Sequence, residues 1–127
     1  MKKSKTVTID GIEYIPVTEV QSQAKDLNGM KYVIVRTQNA GVFAGYLEWQ
    51  DKEEVIVVDA RRLWYWDGAS SLSQLAVDGV KRPENCKFPV EIPHIRLQQV
   101  IETIECTETA RLSIKGVSIW QWLWLWL

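Results

Sequence analysis

Three runs rich in β-branched and aromatic residues occupy the middle of the chain: KYVIVRT from position 31, GVFAGYLEW from 41 and VIVVDARRLWYW from 55. Side chains branched at Cβ are stiff at χ1 and pack well on a pleated surface, so each run predicts a strand. Polar turns at 38–41 and 50–54 separate them, and connections this short join antiparallel neighbours. Asp67-Gly68 breaks the third strand. Small residues at Ala40, Gly41, Ala44 and Gly45 flank Phe43, and glycines inside a strand mark a bulge, a close backbone approach or a ligand contact.

The flanks add helices. Leu72, Leu75 and Ala76 have helical spacing within 69–78, and Gly79 stands at the position that favours positive φ. Pro83, Pro89 and Pro93 keep the next stretch irregular or at a sheet edge. Residues 95–106 read as either strand or helix. A strand is preferred because Thr107 looks like the N-cap of a last helix containing Ala110, Arg111 and Ile114 and ended by Gly116. Before position 30, Val7 and Ile9, an Asp10-Gly11 turn, and Ile12, Tyr14 and Ile15 predict a β-hairpin limited by Pro16. Val20, Ala24 and Leu27 then suggest a short amphipathic helix stopped by Asn28-Gly29. The expected fold is α+β: mainly an antiparallel sheet, two to three short helices and an N-terminal hairpin. Residues 1–29 form an appendage, 30–118 the core domain and 119–127 a Trp/Leu-rich strand or tail.

Several function classes fall away on counts. At 127 residues the chain is one domain's worth. A net charge of −1 and a pI near 5.8 give no general electrostatic grip on nucleic acid. Cys86 and Cys106 are too few for a disulfide framework or a four-cysteine zinc site, and His94 is the sole histidine. The basic start has no apolar run behind it, and no stretch has the ~20 apolar residues a membrane span needs. A soluble, intracellular protein without a cofactor is expected.

The C-terminus is unusual: Trp120, Trp122, Trp124 and Trp126 alternate with Gln121, Leu123, Leu125 and Leu127. As a strand, one face is all tryptophan and the other mostly leucine, so both want cover. A subunit interface supplies it, and so does packing of the tail on its own domain. A homo-oligomer is expected.

Catalytic patterns are scarce. There is no GxSxG elbow, no GxxxxGK[ST] loop and no GxGxxG. Cys86 with His94 has no local support as a thiolate pair, and Glu53-Glu54 falls in a predicted turn. No enzymatic activity is expected. Binding chemistry is better represented in ARRLWYWDGASS. Arg61 and Arg62 carry forks that suit phosphate oxygens, Trp64 and Tyr65 offer rings for stacking, and Ser70 lies near a helix start whose amides favour an anion. Alternation puts Arg62, Trp64 and Trp66 on one face and Arg61, Leu63 and Tyr65 on the other, one of which faces the core. Arg36 and Phe88 would complete a phosphate-and-base pocket if the sheet brings them near, and Phe43 is a further candidate. The structural alternative makes Trp64 and Trp66 core anchors, Arg62 an edge ion-pair partner and Asp67 a plain N-cap.

KYVIVRT, AGVFAGYLEW, ARRLWYWDGASSLSQLAVDGVKRPENCKFPVEI and IETIECTETARLSIKGV together resemble a family of small proteins of tailed bacteriophages and prophages, labelled only as a domain of unknown function. The resemblance covers about 30–117; the Trp/Leu ending departs from the family's usual short polar one. In size and architecture the chain is more distantly similar to Thoeris anti-defence sponges, which oligomerise and sequester cyclic ADP-ribose or cyclic nucleotide signals. The resemblance implies a phage-encoded protein in the cytoplasm of an infected bacterium that captures a small nucleotide-type ligand without catalysis. The alternative is a minor virion component or an inhibitor of a host protein.

Overall fold

The computed structural model describes residues 22–120 and, ahead of these, the backbone of two short strands, β1 (Val7–Ile9) and β2 (Ile12–Tyr14), paired antiparallel. The Asp10-Gly11 turn and the first two residues of the expected 20–27 helix lie outside the described residues. What is described of the latter is not helical: Gln23 forms an isolated bridge with Thr107, and Leu27 one with Met30. The Trp/Leu ending beyond Trp120 also lies outside.

The three β-branched runs become β3 (Lys31–Thr37), β4 (Val42–Asp51) and β5 (Glu54–Arg62), an antiparallel meander. Beyond them come helix α1 (Leu72–Asp78), a 3₁₀ turn (Pro83–Asn85), strands β6 (Ile92–Leu97) and β7 (Val100–Glu105), and helix α2 (Glu108–Gly116). The stretch expected as one strand over 95–106 is thus two, broken at Gln98-Gln99 where Gln99 takes φ 57°. Thr107 caps α2 as expected, its hydroxyl accepting from the Ala110 N–H at 3.1 Å. Among the described residues the architecture is a five-stranded antiparallel sheet with two helices.

Strand order is β6-β5-β4-β3-β7. The two edge strands are consecutive in sequence, which forces curvature. A flat sheet of this width spans about 19 Å from edge to edge, whereas three Cα steps from Leu97 to Val100 reach about 11 Å at most. The sheet therefore curls until its edges approach at that end, where the Val100 N–H donates to the Glu53 carbonyl at 2.9 Å. Register shifts help it curl. One residue is extra in β5 beside Asp59 (φ 51°), one in β4 beside Glu48 and one in β7 beside Ile101. Opposite the first, only glycine fits at position 45: a Cβ there would lie 2.5 Å from Val57 Cγ1 and 2.9 Å from the Val58 carbonyl oxygen.

Curling gives the sheet two buried faces. Inside lie Val33, Val35, Phe43, Val55, Val57, Ala60, Leu97 and Val100. On the outer face Tyr32, Ile34, Ala44 and Tyr46 pack beneath α1, α2 and the 63–88 excursion through Leu75, Ala76, Phe88, Ala110 and Ile114. Helix α2 is clamped at both ends. At its start Glu108 accepts the Lys25 N–H and two bonds from Arg111, whose Nη1 also reaches the Tyr46 hydroxyl. At its end Arg61 Nη1 donates to the Ile114 carbonyl at 2.8 Å, a cation at a negative helix terminus.

Candidate ligand-binding groove

Strand β5 leaves the sheet at Arg62, and the aromatic string begins there. The Leu63 N–H makes one more ladder bond, to the Val42 carbonyl at 2.8 Å, before Trp64 and Tyr65 turn their N–H groups to the Lys87 carbonyl. The alternation expected over 61–66 holds through Leu63 and then lapses, because residues 64–66 no longer belong to the sheet. Arg61 and Leu63 point to the helix-covered face and Arg62 to the interior of the curl. Trp66 packs partly against the helix-side cluster.

Arg61 and Arg62 consequently have different surroundings. Arg61 is 3% exposed. Its Nε donates to the Pro89 carbonyl (3.0 Å), Nη1 to Ile114 (2.8 Å) and Nη2 to Phe88 (3.2 Å). The guanidinium lies 5.5 Å from the buried Phe88 ring. Burial lowers its pKa, with Tyr32, Glu91 and Cys86 acting in the opposite direction. Three main-chain carbonyls thus hold it as a structural cation.

Arg62 lies over the ring of Phe43, a member of the inner core, at 4.4 Å. Its Nη1 donates to the Ala40 carbonyl at 2.7 Å. One bond and one stacking contact fix the plane of the guanidinium, which carries further N–H donors beside the groove that Arg62 lines. The opposite wall is the 38–41 turn. Gly41 takes φ 100°, its carbonyl accepts both the N–H and the hydroxyl of Thr37, and Asn39 Nδ2 donates to Gln99 Oε1 at 3.1 Å. Between the walls is a groove of about 340 Å³ lined by residues 39–42 on one side and 62–64 and Trp66 on the other. Trp64 stands at its rim, 65% exposed.

Of the residues expected to bind ligand, the fold gathers Arg62, Phe43 and Trp64, with Phe43 as a buried floor beneath Arg62. Tyr65 is adjacent but turns toward Lys87, whose Nζ is 5.8 Å from its ring. Phe88 is fully buried beside Arg61. Arg36 is on the outer face of β3, bonded to Glu102 at 2.8 Å. Ser70 lines a different hollow with Gly68, Gln74, Lys81 and Arg82. Helix α1 starts later than expected: Ser71, not Asp67, is its N-cap. Asp67 instead accepts from Asn85 and Arg82, both at 2.9 Å, which keeps its carboxyl below the usual range. Among the other lining residues, Ala40 belongs to the small-residue run and Trp66 to the face shared with Arg62 and Trp64, whereas the sequence did not single out Asn39.

His94 faces Glu48 at 3.5 Å, while Cys86 is buried against the Arg82 and Asp67 carbonyls, so these two do not form a pair. Among the described residues no three His, Cys, Asp or Glu side chains gather as a metal site. Nor is any described helix long and apolar enough to cross a membrane.

A family model described as a domain of unknown function, DUF6948, matches residues 30–114, about two-thirds of the chain. The chain belongs to the DUF6948 family. Both walls of the groove, from Asn39 to Trp66, fall inside the matched span, as do both ends of the Arg61 clamp. The DUF6948 match starts one residue before β3 and runs into α2, so it takes in the curled sheet and leaves out β1, β2 and the Trp/Leu ending. Searches of curated proteins and of solved structures return no match.

Proposed function

We propose that this DUF6948 protein binds a phosphate-bearing, nucleotide-type ligand in the Arg62–Trp64 groove and holds it without catalysis. The observation that carries the reading is Trp64. A large indole kept in solvent at the rim of a groove contributes little to the fold, whereas beside a fixed guanidinium it forms a stacking-plus-phosphate pair. Arg62 takes the phosphate, Trp64 stacks on the base, and the 38–41 turn closes the other side. The wider role follows from the resemblance to phage proteins: a phage-encoded sponge that works in the host cytoplasm and withholds a cyclic ADP-ribose or cyclic oligonucleotide signal from a host effector.

Native mass spectra of the protein mixed with cyclic dinucleotides, cyclic trinucleotides and cyclic ADP-ribose isomers test this. The expected result is a gain of the intact mass of one ligand class, lost in Arg62→Ala. No gain with any of them overturns the reading; an undiminished gain in Arg62→Ala overturns the site. A second reading, a protein-interaction or structural role, is favoured by the exposed apolar side chains Tyr65, Val90 and Ile119.

A further inference from the structure

The segments that leave the sheet form a small ribbon of their own. Tyr65 bridges Lys87 antiparallel and Phe88 bridges Ile119 in parallel, while the Trp120 N–H donates to the Phe88 carbonyl at 3.0 Å. The outer surface of this ribbon is apolar: Tyr65 is 50%, Ile119 51% and Val90 56% exposed. Lys87 sits among the rings, with Nζ 5.8 Å from Tyr65 and 5.7 Å from Trp120. Beside it, between the end of α2 and the 3₁₀ turn, opens a hollow of about 440 Å³ with Ile119 and Trp120 in its lining, large enough for an indole ring. Single exposed apolar residues need no explanation, but a patch joined by bridges next to a hollow does.

The described chain ends on this patch, at Trp120. The seven residues that follow carry no charge and alternate tryptophan with leucine after Gln121. Seven extended residues reach up to about 25 Å, enough to cross from one ribbon to a second. If extended, a sequence with this period of two would carry apolar residues on both faces and call for two apolar surfaces. One ribbon offers one; two ribbons face to face offer both. The geometry points to a homo-oligomer interface centred on this ribbon, its patch covered by residues 121–127 of a second copy of the chain. Tryptophan rings suit Lys87, which already has aromatic faces on two sides, and mutual exchange between two copies closes on itself. The inference stands apart from nucleotide capture, because Tyr65 and Ile119 do not line the Arg62 groove.

Sedimentation velocity over a wide concentration range tests it on the full chain. The wild type is expected to sediment as an even-numbered oligomer. A chain lacking residues 121–127, and separately the full-length double variant Tyr65→Ser with Ile119→Ser, are each expected to sediment as monomers with the wild-type circular dichroism spectrum. If the shortened chain fails to fold, the double variant decides. A monomeric wild type, or a double variant with the wild-type mass, overturns the interface. A monomeric wild type that floats with phosphatidylcholine vesicles would assign the patch to a lipid surface instead. Ligand capture measured on the monomeric variant separates failure of the interface from failure of the groove.

Discussion

The centre of the sheet and the ribbon at its end use the same residue types in opposite ways. In β3 and β4, Tyr32, Val33, Ile34, Val35, Phe43 and Ala44 point to both faces and are buried on both, because the curl covers one and the helices the other. Just past the end of β5, Trp64 and Tyr65 stand in solvent. The divide falls between two adjacent arginines. Arg61 spends its donors on three main-chain carbonyls and ties β5, the 88–89 loop and the end of α2 together. Arg62 spends one on Ala40 and keeps the rest at a groove. Arg61 builds the fold, whereas Arg62 and Trp64 are the side chains proposed for recognition.

The sharpest way to break this contrast is to exchange the two arginines' roles experimentally. Arg61→Ala leaves buried carbonyls without donors and a void beside Phe88. It is expected to cost roughly 3–5 kcal/mol and to lower Tm by on the order of 10–20 °C, read by thermal melting. Arg62→Ala in the same assay should lose well under half of that. Equal losses would erase the distinction.

Next in size is Gly45→Ala. The added methyl meets the Val58 carbonyl oxygen and Val57 at the β5 bulge, and a close-packed sheet accommodates it at about 1–3 kcal/mol. Denaturant unfolding measures this, and an unchanged midpoint would mean that the two bulged strands approach less closely than the curl requires.

Acid sharpens the comparison from the side of α2. The bonds from Arg111, and then the Lys25 N–H, hold the Glu108 carboxyl down to about 2 from its ordinary 4.5. A folded-state pKa below the unfolded value stabilises the fold above pH 4.5. That stability is lost as pH falls from 4.5 toward 2, by about 1–2 kcal/mol after solvent screening. Glu108→Gln should flatten that part of the stability–pH curve. An unaltered slope would remove the clamp at the start of α2 from the account.

The smallest effect belongs to the ribbon side. Trp64→Ala should change stability by within about 0.5 kcal/mol despite deleting the largest type of side chain, as checked by urea denaturation. A loss of several kcal/mol would make Trp64 a core anchor after all.

Much of the fold was legible because its signals are local. The β-branched runs, the polar turns, Thr107 as a cap and Gly45 as a mark of close approach each follow from a few neighbouring residues. Misplaced features depend on contacts distant in sequence. Gln99 splits 95–106 in two because a curled sheet must carry the chain from one edge to the other, and no periodicity encodes that. Ser71 rather than Asp67 starts α1 because Arg82 and Asn85, more than a dozen residues on, claim the Asp67 carboxylate. The string ARRLWYW was conspicuous, but its division was not. Whether Arg61 or Arg62 meets solvent depends on α2, which packs over β5 only in three dimensions.

The most direct test of the division is calorimetric titration of wild type, Arg62→Ala and Trp64→Ala with the nucleotide that the mass spectra show to be captured. One ligand per groove is predicted, with each variant losing at least about tenfold in affinity, or 1.4 kcal/mol, while Trp64→Ala keeps the wild-type Tm. Affinity unchanged in both variants would contradict the claim that the exposed side of this divide is where the protein binds.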